Sequence, residues 1–98
     1  MDAARAMAAR RVPLERPPTA AKEVEIEREQ TAMRLRLGTN IKRLRIESGL
    51  SLRAFAMKAN VSPSYLSEAE RGLRGVTVDL LVRMAIGLNV SLETLFEE

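Results

Sequence analysis

Residues 51–72, "SLRAFAMKANVSPSYLSEAERG", contain two short helical runs that follow each other closely. Ser51 and Ser62 each stand directly before a helical run, where a hydroxyl oxygen accepts a hydrogen bond from a free backbone N–H group. Pro63 suits the first position of the second run, because its fixed φ is helical and its missing N–H is not needed there. Only residues 60–62 separate the two runs, which is too few for two helices to lie side by side. The stretch therefore predicts two short helices that cross steeply.

Such a pair is a helix-turn-helix motif, and its apolar residues predict how the two helices meet. Ala54, Ala56 and Ala59 are small and let the second helix approach closely, while Val61 can fill the gap at the turn. Asn60 tolerates the left-handed backbone that a tight turn requires. The apolar spacing predicts these core positions: Leu52, Phe55, Ala56 and Ala59 on the first helix, and Leu66 and Ala69 on the second.

Helical periodicity continues on both sides of the motif. The segment "LGTNIKRLRIESG" predicts a helix before it, and "TVDLLVRMAIGLN" and "SLETLF" predict two helices after it. Their expected core residues are Leu37, Ile41, Leu44, Leu81, Met84, Ala85 and Leu88. Residues 37–98 are therefore predicted to form an all-α, compact five-helix domain in which every helix has its own cap.

The residues before this domain predict an N-terminal extension in two parts. Residues 1–18, rich in Ala, Arg and Pro, predict a flexible basic arm, which either touches phosphates or is simply solvated. Residues 19–36 predict a charged helical extension that begins at Thr19 and carries acidic residues first and basic residues last. The alternation in "EVEIE" leaves a short strand as the alternative there, and the helix is free to run into the next one.

Composition narrows the class of function. The chain has no Cys and no His, which removes disulfides, thiolate metal sites and the commonest general base, so we expect neither an enzyme nor a cofactor. No apolar run approaches the roughly 18–20 residues that cross a membrane, and the first ten residues lack a signal-peptide core, so we expect a cytoplasmic protein. The net charge of +3 and the pI near 10.0 are compatible with a polyanionic partner.

Residues 37–96 resemble the lambda-repressor/Cro-type (XRE) helix-turn-helix family. The resemblance lies in "LGTNIKRLRIESGLS", "FAMKANVSPSYLSEAERG" and "TVDLLVRMAIGLNVSLETLF", about three-fifths of the chain in one gapless register. It implies that the third helix of the domain lies in a DNA major groove while the second spans the backbone. It also implies a buried or half-buried ion pair between Arg45 and Glu70. The positions that it places in the groove are Pro63, Ser64, Ser67 and Glu68.

Contacts with phosphate follow from the same resemblance. The implied set contains basic and hydroxyl side chains around the groove helix: Lys42, Arg43, Ser51, Arg53, Lys58, Ser62, Tyr65, Arg71 and Arg74. For each basic residue, an ordinary solvated surface charge is the alternative interpretation. For Tyr65, packing at the edge of the core is the alternative to packing on sugar.

The sequence departs from the pattern of the family in three ways. Leu52 stands where the family usually has Gln, and Leu73 stands where Lys is common. The groove helix has no Arg, Lys, Asn or Gln before Arg71, so bidentate reading of guanine or adenine is missing from its first turns. Glu68 could accept a hydrogen bond from cytosine N4, and Ser64 and Ser67 could bond to bases or phosphate.

The leading hypothesis is a sequence-specific DNA-binding transcriptional regulator that binds double-stranded DNA as a homodimer. The dimer would use the last helices, with Leu92, Leu95 and Phe96 as candidates, or the helix before Leu37. The alternative is a protein-interaction module of the same fold, antitoxin-like or polymerase-associated, with weak or lost base reading. A protein partner therefore remains open, and a membrane partner is not expected.

Overall fold

The computed structural model describes residues 20–98, and these contain four α helices and one short 3₁₀ helix. No strand occurs within this range, so the all-α prediction is confirmed there. The predicted basic arm and the Thr19 cap lie outside the described residues. The elements are α1 (Ala20–Glu47), α2 (Leu52–Ala59), α3 (Pro63–Glu70), α4 (Val78–Leu88) and the 3₁₀ helix (Leu92–Phe96).

Helix α1 joins two elements that were expected as neighbours. It runs unbroken for 28 residues, so the charged extension and the first helix of the domain are one element. The strand interpretation of "EVEIE" is wrong, because residues 23–27 lie within α1. Continuity has a local reason: the segment holds no Pro, and Gly38 is its only glycine.

The predicted fifth helix differs from the expectation in type. Leu92–Phe96 is a 3₁₀ helix of five residues, closed by i+3 bonds such as Thr94 N to Ser91 O at 3.1 Å. Ser91 makes no side-chain cap, and its hydroxyl instead lies 2.9 Å from that of Thr94. So short a segment cannot repay the nucleation cost of an α helix, and the tighter 3₁₀ turn is the usual outcome.

The turns between the helices form as the sequence predicts. Ser51, Ser62 and Thr77 each accept a hydrogen bond from the backbone N–H three residues later, at 3.0, 3.0 and 3.2 Å. Asn60 and Asn89 adopt left-handed backbone, with φ of 57° and 56°. These signals act within one turn of chain, which is why the boundaries of α2, α3 and α4 could be predicted.

One core lies between α1, α2, α3, α4 and the 3₁₀ helix. Apart from half-buried Leu52, every core position predicted above is buried. The largest fully buried side chains are Ile41, Phe55, Leu66, Met84 and Leu95, one from each element.

Two residues of α1 that the sequence did not single out hold the helices in place. A Cβ on Gly38 would lie 2.4 Å from the carbonyl oxygen of Ala69 and 2.6 Å from that of Glu70, so only glycine allows α1 to touch the end of α3. Buried Asn40 donates through Nδ2 to the carbonyl oxygens of Leu95 and Glu97, at 2.9 and 2.6 Å. These bonds tie the 3₁₀ helix to α1.

Candidate nucleic-acid interface

Helix α3 has two faces with opposite roles. Its inner face buries Leu66 and Ala69 against the rest of the domain. Its outer face exposes Pro63 and Ser64, and Ser67 is half-buried beside them. The cap and the proline that start α3 therefore stand at the end whose outer face is most open to solvent.

An ion pair across the inner side holds α3 to α1. Arg45 Nε donates to Glu70 Oε2 at 2.6 Å, and Arg45 Nη2 donates to Glu70 Oε1 at 3.1 Å. The two side chains are only 12% and 5% exposed, and Arg45 Nη1 also donates to the carbonyl oxygen of Leu50 at 2.9 Å. The implied pair is present, and its bidentate geometry fixes the orientation of α3. Because Arg45 neutralises it inside the domain, the Glu70 carboxylate adds no negative charge to the outer face.

The four residues implied to read bases lie together. Pro63, Ser64, Ser67 and Glu68 line one shallow depression, which Leu52 of α2 and Arg71 complete. Leu52 closes this surface with an apolar side chain where the family pattern implies an amide. The depression can therefore offer hydroxyl groups and one carboxylate near its centre, with a single guanidinium at its edge.

Glu68 already has a partner inside the chain. Arg74 Nε donates to Glu68 Oε2 at 2.5 Å, and the Arg74 guanidinium carbon lies 5.1 Å from the centroid of the Tyr65 ring. The hydrogen bond and charge of Glu68 raise the pKa of Arg74 above its ordinary value, so Arg74 stays charged. Tyr65 is half-buried and donates its hydroxyl to the carbonyl oxygen of Gly75 at 3.1 Å, which places it at the edge of the core.

The remaining basic candidates fall into two groups. Arg53 and Lys58 are exposed on α2, on a surface that Ser51 also lines. Lys42 and Arg43 line a groove between α1 and the end of α3, together with Arg71. Arg43 is partly engaged, since its Nη1 lies 3.3 Å from Glu47 Oε1. Ser51 and Ser62 are exposed residues whose hydroxyl oxygens already accept the capping bonds.

The candidates for a dimer surface need one correction. Leu95 is completely buried in the core of its own chain, so it cannot form an intermolecular surface while the domain is folded. Leu92 is half-buried against the same core, and Phe96 is 36% exposed. The period of "SLETLF" could not show which apolar residue faces inward, because a 3₁₀ helix places side chains differently from an α helix.

Residues 20–98 show neither a membrane-spanning helix nor a metal site. No helix in this range is long and apolar enough to cross a membrane. The same residues contain no group of three or more acidic or other metal-ligating side chains that could hold a metal ion.

Similarity to known proteins agrees with this architecture. The helix-turn-helix family HTH_3 matches residues 41–95, and the chain belongs to this family. The HTH-type transcriptional regulator SinR of Bacillus subtilis is 41% identical over 63 residues, which are 63% of this chain and 57% of SinR. The chain thus matches little more than half the length of that relative.

Two solved structures show the same fold. The crystal structure of SinR in complex with DNA has a TM-score of 0.60 and 40% identity, covering 62% of this chain and 98% of that one. The restriction-modification controller protein C.AhdI from Aeromonas hydrophila has a TM-score of 0.65 and 29% identity, covering 66% of this chain and 98% of that one.

Proposed function

We propose that this protein is a sequence-specific DNA-binding transcriptional regulator that binds double-stranded DNA as a homodimer, with α3 in the major groove. The observation that carries the proposal is the pair of faces on α3. Its inner face is held by Leu66 and by the Arg45–Glu70 pair, while its outer face carries exposed Ser64 and half-buried Ser67 in a shallow depression that is open to solvent. The similarity to a SinR structure that contains DNA supports the same use of the fold.

Helix α3 has few side chains that can form hydrogen bonds with base edges. Ser64 and Ser67 can bond to base edges or phosphate, and Glu68 can accept from cytosine N4 only if it shares or leaves Arg74. Most of the affinity must then come from phosphate contacts by the basic residues around the depression. Such contacts release counterions, so the logarithm of the binding constant falls linearly with the logarithm of the salt concentration.

A titration with DNA at two salt concentrations tests the proposal. The DNA should be a sequence that the protein enriches from a random pool, which also defines the preferred half-site. We expect at least a tenfold loss of affinity between 50 and 200 mM salt, roughly what two phosphate contacts give. No measurable binding at the lower salt concentration, or no dependence on salt, would refute it.

Substitutions distinguish the residues proposed to read bases from those proposed to contact phosphate. Ser64→Ala or Glu68→Gln should change which sequences are enriched, whereas Arg53→Ala should weaken binding to all sequences similarly and reduce the salt slope by about one. Arg83→Ala is the matched control, because it removes an exposed charge from α4, outside the proposed contacts. If Arg53→Ala changed the preferred sequence and Glu68→Gln did not, the roles proposed for the two residues would be wrong.

A second function is favoured by the apolar residues beside α3. Leu73 is 63% exposed and Met57 is 77% exposed, and Leu52 lines the depression itself. Exposed apolar side chains next to a weak reading surface are typical of a protein-interaction module. A protein that co-purifies in a one-to-one ratio, with no retained nucleic acid, would favour this function over the first.

A further inference from the structure

The first part of α1 extends beyond the domain and touches it only at its end, where Leu35 lies against Gly72 and Arg36 Nη2 lies 3.6 Å from Glu98 Oε1. Residues 20–36 are exposed except for half-buried Arg34, and at 1.5 Å per residue they span about 25 Å. We call this segment the projecting helix. Val24 and Leu35 on it are 49% and 50% exposed, which is unfavourable for large apolar side chains unless a partner covers them.

Four residues of the projecting helix form one stripe. Val24, Arg28, Thr31 and Leu35 follow at spacings of four, three and four, which is the spacing of the seam positions in a two-helix coiled coil. The seam is apolar at both ends and polar in the middle. Ile26, two residues after Val24, lies on the opposite side of the helix.

Charge is divided along the same helix. The half before residue 30 is acidic, and the half after it is basic, with Lys22 and Arg28 as the exceptions. The residues concerned are Glu23, Glu25, Glu27 and Glu29 in the first half, and Arg34 and Arg36 in the second. Two such helices in parallel would bring like charges together, whereas two antiparallel helices would bring unlike charges together.

We propose that the projecting helix is a dimerisation element that pairs antiparallel with the same helix of a second copy of this chain. The two-fold axis would pass between Glu29 and Gln30, which places Val24 of one copy against Leu35 of the other at both ends of the seam. The proposal rests on the proposed function, whose homodimer it assigns to a surface. It also supplies the two-fold symmetry that paired DNA half-sites require.

The antiparallel register predicts one ion pair between the two copies, and this pair can be tested. Glu27 and Arg34 are seven residues apart and lie on one flank of the seam, so two-fold symmetry brings Glu27 of each copy beside Arg34 of the other. Within residues 20–98, Glu27 makes no ion pair, and Arg34 donates only to the neutral Thr31 hydroxyl at 3.2 Å. Both charges are therefore available to a second copy.

The size of the contact sets the expected strength. A pairing of about 14 residues, 23–36 of each copy, is at or below the lower end of specific interfaces, near 1,200 Å² in total. We therefore expect a reversible dimer whose association weakens at high salt, because its flanking pairs are exposed to solvent.

Analytical ultracentrifugation of the full chain without DNA, over a range of concentrations, measures this association directly. Glu27→Arg and Arg34→Glu should each weaken dimerisation about tenfold, since each reverses two symmetric contacts. The double variant Glu27→Arg/Arg34→Glu should return to within about twofold of the unchanged chain. Failure of the double variant to recover, with its helical circular dichroism intact, would overturn the register.

A second pair of variants tests the face. Val24→Lys should give a monomer, whereas Ile26→Lys adds the same charge two residues away on the opposite side and should leave the dimer intact. Dissociation by Ile26→Lys or by Phe96→Lys, with Val24→Lys still dimeric, would place the contact elsewhere and overturn the proposal. A chain that stays monomeric at every concentration would overturn it as well.

The two proposals fail separately. A dimer that does not bind DNA in the salt titration would refute the DNA-binding function and leave the dimerisation element standing. If the chain bound DNA in a salt-dependent way and Val24→Lys did not dissociate the dimer, the dimerisation element would be refuted and the DNA-binding function would stand.

Discussion

Gly38→Ala puts local helix propensity and tertiary contact in direct opposition. Gly38 lies inside α1, where replacing glycine by alanine ordinarily stabilises a helix by about 1 kcal/mol. The added Cβ would, however, meet the carbonyl oxygens of Ala69 and Glu70 at 2.4 and 2.6 Å. These atoms belong to the backbone of α3 and cannot turn aside as a flexible side chain would.

The clash with the two carbonyl oxygens should outweigh the gain in helix propensity. To restore ordinary contact, α1 and the end of α3 must separate by roughly 1 Å, which also strains the Arg45–Glu70 pair. Overpacking costs about 1–3 kcal/mol, and a clash with two rigid carbonyls belongs at the upper end. After the gain in propensity is subtracted, we expect a net loss of about 2 kcal/mol in the free energy of unfolding.

Urea denaturation followed by circular dichroism measures the effect, with Gly75→Ala as the matched control. The Cβ of an alanine at position 75 meets nothing within 4 Å, so stability should stay the same or rise by up to about 1 kcal/mol. If Gly38→Ala were stabilising, propensity would outweigh the contact, and the close approach of α1 to α3 would not be a real constraint.

Three further substitutions test other parts of the fold, each by urea denaturation. Glu70→Ala should cost about 3–5 kcal/mol, because it leaves the largely buried Arg45 guanidinium without its carboxylate; a loss under about 1 kcal/mol would mean that the pair is effectively solvated. Asn40→Ala should cost about 2 kcal/mol, because two carbonyl oxygens, one of them the buried oxygen of Leu95, lose their donor. Asn60→Ala should cost about 1 kcal/mol for the left-handed backbone, and a stabilising result would contradict the observed turn.

The contact between Glu68 and Arg74 changes what each residue can be expected to do. An Arg74 that held phosphate would have to leave Glu68, and a Glu68 that read cytosine would have to leave Arg74. The pair therefore lowers the negative charge of the reading face in the free protein, while it reduces the number of free cations beside α3. Reading by Ser64 and Ser67 does not require this pair to open.

The sequence alone determined the local part of this structure. Caps, left-handed turn residues and apolar spacing act between residues one to four apart, so Ser51, Ser62 and Asn60 could specify the start of α2, the start of α3 and the turn between them. The same periodicity predicted nearly all of the core. The grouping of candidate base-reading residues on α3 followed from family resemblance, since no local signal says which face of a helix meets a partner.

Only the tertiary structure decided which distant groups meet. The burial of Leu95, the bonds from Asn40 to the 3₁₀ helix and the contact of Gly38 with α3 all depend on how helices cross, and crossing is set by the packing of the whole core. The Glu68–Arg74 pair likewise depends on the path of the chain after α3 ends. Short-range hydrogen bonds can be predicted from a sequence. Contacts between helices cannot, because each contact depends on the placement of every helix at once.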